Sequence, residues 1–202
     1  VEDLSEWRYE GVIYRKKQDP KNPLGYHLLF APDVCQGPDG RYYLYYAFDF
    51  LGIMSVAVCD TPAGEYKFLG HIHYADGTLW GRRRGDQLPF DPGVLADDDG
   101  RVWLYSGFYN AVPAILTGGH KLRCDGGTVL ELEKDMVTIK TEPRVIFPKK
   151  GPGAFQGHEF FEASSIRKEG KTYIFVYSSR HNHELCYATS QSPDRDFSYG
   201  GT

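Results

Sequence analysis

Three stretches of the chain repeat one alternation of polar and apolar positions. Asp39-Gly40-Arg41 precedes Tyr42-Tyr43-Leu44-Tyr45-Tyr46, and Asp99-Gly100-Arg101 precedes Val102-Trp103-Leu104-Tyr105-Ser106. Glu169-Gly170-Lys171 precedes Thr172-Tyr173-Ile174-Phe175-Val176-Tyr177-Ser178. An acid followed by glycine makes a tight turn, and the aromatic and aliphatic run behind it suits a strand. The turn glycines lie 60 and then 70 residues apart. A second pattern recurs out of phase with the first: Glu6-Trp7-Arg8-Tyr9-Glu10-Gly11, Glu65-Tyr66-Lys67-Phe68-Leu69-Gly70 and Asp196-Phe197-Ser198-Tyr199-Gly200-Gly201. Its period-2 alternation predicts an outer strand with one buried face. A further strand is expected between the two patterns, at 54–59 and 184–189.

Each unit therefore has about four strands, which predicts an all-β protein and a β-propeller. No helical period of 3.6 competes with it. Blades are expected at 26–75, 86–147 and 158–202, with 1–15 as the outer strand of a preceding blade. The middle unit departs from the pattern, because its outer region at 129–147 is longer and lacks the aromatic pair. A propeller closes its ring to protect its edges. Three blades and a remnant are thus expected to be part of a longer five-bladed ring, in one domain.

Composition agrees, with 15 Tyr, 12 Phe, 3 Trp and 23 Gly among 202 residues. The formal net charge of −4 argues against nucleic acid as a partner, since a phosphate backbone needs a concentrated basic surface. The one basic cluster, Arg82-Arg83-Arg84, reads as a solvated loop. No apolar run is long enough for a membrane-spanning helix, so no membrane partner is expected. No signal peptide opens the chain, but its N-terminus reads as missing. A cytoplasmic location is the expectation, with secretion left open. The four cysteines show no CxxC spacing, so zinc has little support, and Cys59 and Cys186 read as small buried hydrophobes. Oligomeric state is not legible.

The innermost strand of each blade is expected just before its acid-glycine turn, and each begins with an acid: Asp33, Asp91 and Glu162. These precede their turn glycines by 7, 9 and 8 residues. Equivalent places in a ring of blades face one end of one channel, so three carboxyl groups are expected in a shared funnel. Converging carboxylates repel one another and are costly to desolvate. Each alone reads as a turn cap or an ion-pair partner; three in register favour a site. Two carboxyls with separated pKa values are what glycosidic cleavage requires.

At these residues the chain resembles family 43 glycoside hydrolases. The matching motifs are Ala31-Pro32-Asp33-Val34 with the Tyr42–Tyr46 run, Asp91-Pro92 with Asp97-Asp98-Asp99-Gly100, and Glu162-Ala163-Ser164 with the Gly170-Lys171 turn. The resemblance implies an inverting glycosidase on xylose- or arabinose-containing oligo- or polysaccharides, of β-xylosidase or α-L-arabinofuranosidase type. It implies Glu162 as general acid and Asp91 as the aspartate that tunes it. Asp33 shapes the site. The family's base aspartate lies on a first blade whose inner strand is absent here, so this stretch alone is expected to be inactive. Phe30, Trp80, Phe90 and Phe161 are candidates for a stacking wall, His158 for the pocket rim, and Arg180 and His181 for sugar hydroxyls or carboxyl groups. His183 alternates with His181, but no third ligand at metal spacing accompanies them. The resemblance requires no cofactor and allows a calcium ion on the propeller axis. The competing reading is a non-catalytic carbohydrate-binding propeller. A related fructan-cleaving family places its acid in a Glu-Cys context, which Ala163 disfavours.

Overall fold

The computed structural model describes residues 5–202. The acid-glycine turns work as the sequence reading requires. Gly40, Gly100 and Gly170 take φ of 83°, 80° and 57°, a left-handed conformation open to glycine without steric cost. Each joins two antiparallel strands: β1 (Leu29–Gln36) to β2 (Tyr42–Phe48), β5 (Gly93–Ala96) to β6 (Val102–Phe108), and β9 (Phe160–Glu169) to β10 (Thr172–Ser179). Each pair continues into a third and a fourth strand. These are β3 (Met54–Cys59) and β4 (Lys67–His71), β7 (Gly126–Leu132) and β8 (Arg144–Pro148), and β11 (Leu185–Ser190) and β12 (Ser198–Gly201). Three four-stranded antiparallel sheets result, each in simple up-and-down order.

β1 contacts β5, and β5 contacts β9, so the first strands of all three sheets line one axis. The molecule is all-β, with three blades of a propeller. Between the first two blades lies a core that includes Tyr45, Val56, Trp80, Val94, Leu104 and Leu130. Between the second and third, Phe147 stacks on Phe175 at 4.5 Å, among Tyr105, Phe160 and Tyr177. Each such side chain contributes about 1.5–3 kcal/mol of burial free energy, which explains the density of aromatic residues on β2, β6 and β10.

Three expectations need correction. Glu6 to Gly11 forms no strand, and Trp7 and Tyr9 are 83% and 82% exposed. An outer strand is held only by the strand inside it, and among the described residues none pairs there. The chain joins the first blade further on, where Ile13 accepts a backbone hydrogen bond from Tyr66 and the Tyr14 hydroxyl meets that of Tyr46. Residues 1–4 of that expected strand lie outside the described residues. The long outer region of the middle blade divides into β7, β8 and an excursion at 133–143. This excursion folds back on the first blade, placing Met136 and Ile139 in the shared core. Arg82-Arg83-Arg84 is only partly solvated. Arg82 donates to the Leu51 and Gly52 carbonyls, and the Arg83 guanidinium lies 3.5 Å above the Tyr74 ring.

The second and third blades are also joined by a buried ion pair. Asp97 accepts from Lys168 Nζ and from the Tyr173 hydroxyl, with only 1% of its side chain exposed. Those partners hold its carboxyl below the usual range despite burial, so its stabilisation is present above the unfolded-state pKa and disappears as pH falls through the folded one. Asp97→Ala is expected to cost about 3 kcal/mol in urea unfolding at pH 7. The same change at Asp98, whose side chain is 87% exposed, should stay within about 0.5 kcal/mol.

Candidate active site

The start of each inner strand carries one non-glycine residue in the left-handed region: Ala31 (φ 44°), Asp91 (φ 51°) and Ala163 (φ 62°). Such a residue costs roughly 1–2 kcal/mol, and its recurrence marks the same kink in every blade. The β1–β2 register shifts between Phe30 and Asp33, and the β9–β10 register shifts opposite Glu162. The kink also aligns the blades more strictly than turn spacing does. Asp33 stands two residues after it, Asp91 stands on it, and Glu162 stands one before it.

The three acids are therefore not equivalent, which corrects the expectation of one shared ring of carboxyls. Asp33 turns to the second blade, accepting from the Val94 amide at 2.9 Å, and faces the Arg167 guanidinium at 3.4 Å. Asp91 turns to the third blade and accepts from the Ala163 amide at 2.8 Å. The Val94 amide that Asp33 holds lies three residues beyond Asp91 in the chain, so the two acids are tied at different points of the second blade. Asp91 and Glu162 come together, because the amide that Asp91 holds belongs to the residue after Glu162. Asp33 is a structural tie between blades.

Asp91 is 6% exposed. Burial pushes its carboxyl up to about 7, the Ala163 amide opposes this, and the charge of Glu162 adds to it. Burial also raises Glu162, with the cation of His183 opposing. His183 Nδ1 lies 3.8 Å from Glu162 Oε1. The pair of carboxyls thus retains a proton near neutrality.

An aromatic wall adjoins the acids. Phe30 leans on Phe90 at 5.9 Å, Phe50 stacks on Phe90 at 5.2 Å, and Phe108 meets Phe161 edge-on at 5.4 Å. Tyr109 stacks on Phe161 at 5.9 Å, with Arg180 5.1 Å above its ring. Phe30 and Phe161 are half-buried. Phe90 is 3% exposed and backs the wall from within, and Trp80, 1% exposed, belongs to the core between the first two blades. Neither presents a face to a ligand.

His158 is not at the pocket rim. It stacks at 4.7 Å on Tyr199 of the outermost strand and meets Glu184 at 3.0 Å. His181 is exposed, and its close contacts are backbone hydrogen bonds with Ser179. His183 is the histidine that faces the acid. Tyr109 and Phe50 were invisible to sequence reading because both follow their strands and carry no motif.

The described axial carboxyls already have partners, Asp33 an amide and a guanidinium and Asp91 an amide. Ligand atoms of His158, Glu184 and Cys186 do lie within 4.8 Å of one another. They sit at the outer strands, and Glu184 there accepts from Ser179 and pairs with His158. We read that group as a closed hydrogen-bond cluster.

A raised folded-state pKa contributes stability that is full below the unfolded value and is lost as pH rises through the folded value. Asp91 therefore destabilises the fold progressively between about pH 4 and 7. Asp91→Asn, which keeps an oxygen for the Ala163 amide, should flatten that decline by up to about 4 kcal/mol, read as urea midpoints across the range. Parallel curves for the two proteins would contradict the burial of an ionisable Asp91.

The model of the family described as Glycosyl hydrolases family 43 matches residues 1–199. A xylosidase/arabinosidase of Thermoclostridium stercorarium is 56% identical over 205 residues, covering 100% of this chain and 41% of that protein. A xylosidase/arabinosidase of Bacteroides ovatus is 32% identical, covering 97% of this chain and 62% of that protein. A solved α-L-arabinofuranosidase structure from Clostridium thermocellum matches with a TM-score of 0.68 at 24% identity, over 100% of this chain and 59% of that one; at that identity the likeness speaks for the fold. The chain thus spans about half the length of the curated relatives it matches. The repeated four-stranded blades, the carboxyl pair at their axis and a family match over nearly every residue lead to one conclusion: the chain belongs to glycosyl hydrolase family 43.

Proposed function

We propose that the protein hydrolyses glycosidic bonds of xylose- or arabinose-containing oligo- or polysaccharides with inversion, using Glu162 as general acid and Asp91 to tune it. One observation carries this reading. A buried carboxyl, Asp91, is fastened to the backbone beside a second, half-buried carboxyl, Glu162. Two desolvated acids repel each other, and a fold that only bound sugar would have no use for their cost. The resemblance supplies the base from a blade whose inner strand matches no residue of this chain, so the reading concerns the intact protein.

The chain's own residues perform two parts of the reaction. Glu162 presents its proton to the departing sugar oxygen, which otherwise leaves as an unstable alkoxide. Asp91 keeps that proton on the pair. The Ala163 amide favours the ionised form of Asp91, so a glycosidic oxygen accepting from Glu162 draws the shared proton to Glu162. The half-buried faces of Phe161, Tyr109, Phe30 and Phe50 suit the apolar C–H side of a pentose. No cofactor takes part in these steps.

Glu162→Gln in the intact protein is expected to lower turnover on unactivated xylo- or arabino-oligosaccharides by roughly 10²–10⁴-fold. On aryl glycosides with acidic leaving groups, which need little protonation, the loss should be far smaller. Steady-state kinetics on both substrate types decides the matter, and equal losses would remove Glu162 from the role of acid.

A further inference from the structure

Glu162 has a second charged neighbour that neither the repeat nor the family motifs single out. Residues 180–184 form the turn from β10 to β11, closed by the Ser179 amide donating to the Glu184 carbonyl at 2.9 Å. Within it Asn182 and His183 both take left-handed φ, 55° and 54°. Asparagine and histidine are both among the non-glycine residues enriched in that region. Three contacts fix the His183 ring. The imidazole meets Phe161 edge-on at 4.6 Å, Nδ1 lies 3.3 Å from Ser178 Oγ, and the same nitrogen lies 3.8 Å from Glu162 Oε1. The last distance is a contact between charges, longer than a hydrogen bond. The side chain is 61% exposed.

Resting on the reading of Glu162 as general acid, we propose that His183 is a positioning residue that opposes Asp91, holding down the proton affinity of Glu162 from the solvent side. The two neighbours act with opposite sign. From the start of β5, the Asp91 carboxylate favours the protonated acid. From the β10–β11 turn, the His183 cation favours the ionised one. A protonated His183 places its charge 3.8 Å from Glu162 Oε1, on the solvent side of the acid. The other charged groups near this corner face elsewhere. Arg180 lies over Tyr109 from one side and Lys149, at 5.5 Å, from the β8 side. Glu184 turns to His158 and Ser179, and His181 stands in solvent. The consequence is an acid that gives up its proton more readily to a sugar oxygen, at the expense of activity on the alkaline side.

The test compares the intact protein with His183→Asn, which tolerates the left-handed backbone and cannot become cationic. The ¹³C-detected titration of the Glu162 carboxyl, assigned by its loss in Glu162→Gln, should move up by roughly 0.5–1 pH unit in His183→Asn, a modest shift for an exposed charge at this distance. The alkaline limb of kcat/KM should move with it. In the unmodified protein, raising salt to about 1 M should shift the titration the same way, because it screens an exposed cation; this arm needs no variant to fold. An unmoved or downward-moving titration, with salt or with His183→Asn, overturns the proposal. The outcome is separable from the assignment of Glu162, which stands or falls on the leaving-group comparison above.

Discussion

The inner strands of neighbouring blades lie side by side along the axis without forming a common ladder, so their facing amides need partners from elsewhere. Asp33 and Asp91 supply them, each reaching one blade onward to the Val94 and Ala163 amides. The rest of the site depends on the second of these bonds. It ties the second blade to the third at the end where Glu162 stands. It also carries a carboxylate into a nearly dry position, where its presence changes the chemistry of the next residue. The left-handed kinks at Ala31, Asp91 and Ala163 are the backbone's accommodation to that geometry.

Glu162 is governed by position more than by its own chemistry. Partial burial raises its proton affinity and His183 lowers it from the surface, while the charge of Glu162 in turn raises Asp91 in the interior. The aromatic wall through Phe161 connects these parts mechanically. Its ring touches His183 on one side and Tyr109 on the other, and its backbone carbonyl accepts from the Tyr109 amide at 2.9 Å.

Much of this was legible in the sequence, for a physical reason. Acid-glycine turns and alternating aromatic strands are local signals, and local signals repeat faithfully from blade to blade. The four-stranded units and the identity of the acids as the notable residues of the inner strands followed from them. Relations between blades were not legible. Turn spacing placed Asp33, Asp91 and Glu162 in register, whereas the kink separates them, because a one-residue slip in an inner strand leaves the hairpin unchanged. Trp80 has the composition of a sugar platform and the burial of a core residue. His158 and His183 are interchangeable on paper; only the turn at 180–184 decides that one faces the acid and the other the outermost strand. The repeat at Glu6 to Gly11 has the pattern of a strand, but a pattern without a neighbouring strand makes none.

The central claim is that Glu162, backed by Asp91, meets the departing oxygen of a pentose. A crystal structure of the intact protein carrying Glu162→Gln, with an uncleaved xylo- or arabino-oligosaccharide bound, tests it most directly. The account places the glycosidic oxygen within about 3.2 Å of the residue-162 side chain, with a sugar face against Phe161 or Tyr109. A substrate whose scissile oxygen lies against other residues, with this side chain directed at solvent, would contradict it.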